Sequence, residues 1–199
     1  MRDKHTTLCF GQRVSLAAGF VALLASVGCS GPGSADPVVS PDSTGAGVIE
    51  IETDSGVKLD WVRVDDPSDD SEALTVLAAQ NSLSDTPVVP LNSIISITFE
   101  GMQPDSVSLN DRVINTDGSQ RFGQEPEVVT LIKCECDGSY NFALPINPAA
   151  SASSNSRDYE PGAVIRGFTL TAANDAATVS YAFALHTDAY DSTQLVGVE

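Results

Sequence analysis

The chain has 199 residues, and 27 Asp and Glu stand against 10 Lys and Arg, for a net charge of −17. So acidic a surface repels phosphate backbones and anionic lipid head groups, which argues against nucleic-acid binding. With four cysteines and two histidines, the chain offers little to a metal centre built from soft ligands.

Residues 1 to 28 differ from the rest. Arg2, Lys4 and Arg13 give a positive start, followed by an apolar run from Val14 to Val27. As a helix this run spans about 21 Å, short of the roughly 30 Å hydrocarbon core, so it fits a signal-peptide core better than a membrane span. It ends in Ser26-Val27-Gly28-Cys29. These residues resemble the lipobox of bacterial lipoproteins, with Ser26 where leucine is usual. The resemblance implies cleavage before Cys29 and diacylglyceryl transfer to its sulfur, an anchor made stable by two or more acyl chains. In Gram-negative members, a residue such as Ser30 after the cysteine implies sorting to the outer membrane. Cleavage removes three basic residues and Asp3, leaving seven basic against 26 acidic side chains.

Residues 29 to 46 are rich in Ser, Gly, Pro and Asp and read as a flexible tether. The domain is expected over residues 47 to 199, where period-two patterns predominate. Ile49 and Ile51 alternate with Val48, Glu50 and Glu52; Val57, Leu59, Trp61 and Arg63 with Lys58, Asp60 and Val62; Ile95, Ile97 and Phe99 with Ser96, Thr98 and Glu100. Val107 and Leu109 do the same, as do Val179, Tyr181, Phe183 and Leu185 against Ser180, Ala182, Ala184 and His186. Each reads as a strand with one wet face, and such alternation suits antiparallel sheets. One segment, 71–80, reads as a helix behind the cap Asp69-Asp70-Ser71-Glu72. The fold class expected is all-β: an antiparallel, two-sheet, immunoglobulin-like β-sandwich with one short helix.

Cys134-Glu135-Cys136-Asp137-Gly138 lies between two apolar runs and signals a hairpin. A two-residue Asp-Gly turn pairs Lys133 with Phe142. A three-residue loop pairs Cys134 with Tyr140, Ile132 with Phe142 and Val128 with Ile146. The second register gathers the apolar residues on one face and is preferred. It turns Cys134 inward and puts Cys136 in the turn. The pair is a candidate disulfide, provided the turn bends, because two strand residues span roughly 6.6 Å; metal, redox chemistry and free thiols are the other readings.

Asp65, Asp66, Asp69, Asp70 and Glu72 are candidate calcium ligands, with a solvated loop leading into a helix cap as the alternative. Asn115-Thr116-Asp117-Gly118 fails the calcium-loop pattern, since Val113 and Gln124 fall at ligand positions, and reads as a hairpin turn. In the long loop 147–162, Arg157, Asp158, Tyr159 and Glu160 form a candidate partner-contact patch; an unstructured loop accounts for the same composition. His186 reads as a surface histidine. No Gly-x-Ser-x-Gly elbow or phosphate-binding glycine loop is present. The function expected is therefore that of a lipid-anchored cell-envelope module, non-catalytic, with a protein or glycan partner and no cofactor. The alternatives are a calcium-stabilised, adhesion-like domain and a glycan hydrolase using a carboxylate pair.

Overall fold

The computed structural model describes residues 48–64, 70–175 and 178–190; the signal segment, Cys29 and the tether lie outside the described residues. The strands are β1 (Val48–Thr53), β2 (Trp61–Val64), β3 (Ile94–Glu100), β4 (Ser106–Val113), β5 (Glu127–Val129), β6 (Ile132–Lys133), β7 (Tyr140–Ala143), β8 (Val164–Ala173) and β9 (Thr178–Thr187). The helices are α1 (Asp70–Gln80) and α2 (Pro148–Ser151).

The strands form two sheets, ordered β1-β3-β7-β6 and β2-β9-β8-β4-β5, and every strand pair is antiparallel. In chain order the first is the A-B-E-D sheet of an immunoglobulin sandwich; β9-β8-β4 is its G-F-C sheet, with β5 in the place of C′. The expected two-sheet sandwich is therefore the fold. Among the described residues, no disulfide links the two sheets. Ile49, Ile51, Ile95, Ile97 and Phe142 face Leu109, Phe168, Leu170 and Phe183, and the Phe168 and Phe183 rings stack at 4.9 Å.

A third layer lies outside the five-stranded sheet. Helix α1 packs Ala73, Leu74 and Leu77 against Val62, Ile114, Ile165, Ala182 and Ala184. Strands β8 and β9 are thus buried on both faces. This corrects the reading of β9 as half wet: Ala182 and Ala184, small enough to pass for a solvent face, make room for the helix. At Gly167 of β8 an added Cβ would lie 2.7 Å from a Leu74 methyl.

Two further readings change. Val57–Arg63 is not one strand. Leu59 donates its N–H to the Ile51 carbonyl in the first sheet, whereas Trp61 pairs with Phe183 in the second, so the chain crosses between sheets at Asp60. Likewise Val128 does not oppose Ile146. It pairs with Asn110 in the second sheet, while Ile132, four positions on, pairs with Asn141 in the first. The Cys134 hairpin adopts neither predicted register: Lys133 opposes Tyr140 and the Cys134 N–H donates to Ser139 O, leaving a loop one residue longer than the preferred one.

Candidate functional site

The reason for the longer loop is visible by comparison within the chain. Asp117-Gly118-Ser119 and Asp137-Gly138-Ser139 make the same local turn. Each Asp accepts from the backbone N–H and hydroxyl of the Ser two residues on, and each Gly has positive φ, +80° and +76°. The first turn closes with the Asn115 N–H donating to Ser119 O. The second carries the disulfide Cys134–Cys136, whose Cα atoms are 5.5 Å apart. Regular strand would hold them roughly 6.6 Å apart, so Cys136 leaves the ladder and the loop lengthens. Cys134 is buried and Cys136 exposed. Closing a ring this small removes little unfolded-chain entropy, about 1.6 kcal/mol. The hydrogen bonds from Ser139 hold the Asp137 carboxyl below its ordinary range.

The acidic loop is only partly described. Asp65, Asp66 and Asp69 lie outside the described residues. Asp70 accepts a 2.7 Å hydrogen bond from Asn110 Nδ2, which ties the start of α1 to β4. Glu72 is exposed on the first turn of α1, where its charge favours the helix dipole.

Loop 147–162 is ordered by caps. Asn147 accepts from the N–H groups of Ala149 and Ala150, and Pro148 starts α2. Asn155 caps a 3₁₀ turn over Ser156–Tyr159. Within the candidate patch the four residues separate. Asp158 is buried and accepts from Arg121, Ser153 and Asn155, so it organises the loop from inside. The Tyr159 hydroxyl lies 2.7 Å from Ser153 O and 3.0 Å from Ser151 O, and its ring meets Tyr190. Arg157 and Glu160 are exposed.

His186 is less free than a surface histidine. Its Nδ1 lies 2.8 Å from Gly162 O and its Nε2 3.0 Å from Leu83 O. Both ring nitrogens are thereby engaged by backbone. Beside it, a crevice of about 270 Å³ opens where α1 ends, floored by Leu77 and Ala184 and rimmed by Asp60 and Asp85.

The strongest polar feature was not anticipated. Arg166 and Asp111, both fully buried, meet between the sheets. Arg166 Nε donates to Asp111 Oδ1 at 3.0 Å and Nη2 to Oδ2 at 2.5 Å. Arg166 Nη1 donates to Pro145 O, and Asn147 Nδ2 donates to Asp111 Oδ2 at 2.8 Å. The pair thus clamps the exit of β7 to the second sheet. A charge inside the apolar run Ala163-Val164-Ile165-Arg166-Gly167-Phe168 was the available signal, because a buried cation demands a partner.

Among the described residues, one broad surface stays uncovered. On the outer face of the four-stranded sheet, Glu52 and Ser96 align with Asn141 and Ile132. Val48, Ile94 and Ile132 are exposed there by 55%, 41% and 61%, and Ser96 Oγ donates to Asn141 Oδ1 across the ladder. At the adjoining edges, β6 is two residues long and β5 three. Comparison with protein families, curated proteins and solved structures finds no match to this chain.

Proposed function

We propose that the chain is a lipid-anchored, non-catalytic module of the cell envelope that binds a protein or glycan through the outer face of its four-stranded sheet. The observation that carries this reading is the asymmetry of the sandwich. One sheet is capped by α1, while among the described residues nothing lies over the outer face of the other, where exposed Ile94 and Ile132 sit among Glu52, Ser96 and Asn141. Larger apolar patches rimmed by polar side chains are a pattern of interaction surfaces. The two described carboxylates that are buried, Asp111 and Asp158, are both held by arginine, which supports structural duty for them.

The test uses two positions and one control. A photocrosslinking side chain at Ser96 is expected to give discrete adducts in intact cells, whereas one at Thr75 on the exposed side of α1 gives none. Adducts at neither position, or equally at both, would overturn the assignment of the face. Cys29→Ser is expected to shift the protein from the membrane to the soluble fraction and to remove acyl mass from the wild-type chain. An unmodified, soluble wild type would overturn the anchor.

A further inference from the structure

We propose that the Cys134–Cys136 bridge is a thiol-exchange site, opened by attack at Cys136 and selective for thiols that carry positive charge. Three observations converge on this hairpin. First, the bridge is not a core staple: it spans three residues at a sheet edge, in a loop flanked by the two-residue strand β6. Exposed disulfides of this sort are the exchangeable ones. Second, the two sulfurs are unequal. Cys134 is buried and its backbone is held just past the end of β6, accepting from the Gly138 N–H and donating to Ser139 O. Cys136 is exposed in the loop. An incoming thiolate therefore reaches Cys136 Sγ, with Cys134 as the leaving group. Third, the surroundings are anionic. A carboxylate oxygen of Asp137 lies within 4.8 Å of both sulfurs, and Glu135 is exposed between the cysteines. The nearby cation, Lys133, sits with its Nζ 5.4 Å from the Tyr140 ring centroid.

The chemistry balances with two equivalents of an aliphatic thiol. The first thiolate forms a bond to Cys136 Sγ; the Cys134–Cys136 bond breaks, and Cys134 leaves with the electron pair and takes a proton from water. The second thiolate attacks the sulfur of the first, displacing Cys136 as thiolate. The external thiols are oxidised by two electrons to their disulfide, and the bridge is reduced to two thiols. Asp137 is no proton donor in this sequence, since Ser139 keeps its carboxyl ionised. Its charge instead disfavours the open, thiolate-bearing form relative to the bridge, so that when external thiol is withdrawn the external disulfide formed in the exchange takes back the two electrons and the bridge re-forms, and it favours a thiol whose own charge is positive.

The test treats the oxidised full chain with cysteamine, mercaptoethanol or glutathione at equal thiolate concentration, and with a lysine-flanked cysteine peptide. Alkylation and peptide mapping then count thiols on the segment holding residues 134–136. Opening in the native protein is expected, roughly fivefold faster with cysteamine than with glutathione at low salt, the gap closing at high salt. Reaction of the peptide at the cysteamine rate assigns polypeptide thiols as substrates alongside small ones; a much slower peptide confines the site to small thiols. Glu135→Gln is expected to narrow the cysteamine-to-glutathione ratio. With an aromatic disulfide reagent, Cys134→Ser, which leaves Cys136 free, is expected to react at least about tenfold faster than Cys136→Ser. A bridge that opens only after unfolding would overturn the proposal, equal rates for the three thiols would overturn the selectivity, and faster reaction of Cys136→Ser would overturn the entry sulfur.

Discussion

Gly118 offers the sharpest quantitative test of how the helix layer is seated. It is buried at the tip of the turn after β4, with φ +80°, and a Cβ built on it would lie 2.2 Å from the Leu74 carbonyl oxygen and 2.8 Å from Thr75 Cα. Two costs follow for Gly118→Ala. The left-handed backbone costs about 1 kcal/mol once a Cβ is present. Ordinary contact begins near 3.4 Å, so turn and helix must part by about 1.2 Å, and overpacking of that kind adds about 1–3 kcal/mol. The sum, about 3 kcal/mol, lowers the melting temperature by roughly 6–12 °C in a domain of this size. Gly101 supplies the control, because its φ is +75° with nothing within 4 Å of the added Cβ. Gly101→Ala is expected to show the first cost alone. Thermal melts followed by circular dichroism measure both. If the two variants melt within about 2 °C of each other, the contact of the turn with the backbone of α1 is refuted.

The buried pair gives a second outcome. Asp111→Asn leaves the Arg166 cation without its charge partner and is expected to cost about 3–5 kcal/mol in urea titrations, whereas Asp111→Leu combined with Arg166→Met regains most of it. A double variant no better than the single would show that the pair is not the unit of stability. Tyr181 gives a third. Burial pushes its phenol above the ordinary value of 10.0, with the Arg63 charge opposing in part. The folded state holds this proton where the unfolded chain releases it, so the contribution is whole below the unfolded value and is lost as pH rises through the folded one. Urea midpoints from about pH 8 to 11 are expected to fall more steeply for the wild type than for Tyr181→Phe; parallel curves would contradict the burial argument.

How much of this was legible before the coordinates depends on which face of each strand does the work. Strands with one wet face, such as β1 and β3, announce themselves by alternation, and the helix by its acidic start. Strand β8 has no wet face over most of its length, so its run of Val164, Ile165, Gly167 and Phe168 carries no period. The helix itself hid the fate of β9, since alanines under a helix and alanines under water look alike in sequence. The sheet crossings at Asp60 and Thr130 leave no mark in the sequence, because a chain passing between sheets keeps its extended backbone and its alternation. The cysteine hairpin shows a one-residue limit: the Asp-Gly-Ser turn was readable, but the bend imposed by the covalent bridge was not. The ion pair required knowing that β4 and β8 are neighbours, a separation of 55 residues that no local pattern encodes.

The pairing order also dictates when the domain can assemble as its chain emerges in one direction. Strand β2 pairs with β9, and β4 pairs with β8 as well as with the short β5, while the helix between β2 and β3 docks on β2 and on that same late hairpin. Until residues near Thr187 are available, the five-stranded sheet has no centre and α1 lacks most of the surface it covers. Strand β2, strand β4 and helix α1 therefore wait for the last hairpin before their sheet can close. For a chain proposed above to be anchored in the cell envelope, the delay keeps that part of it open until its last strands follow.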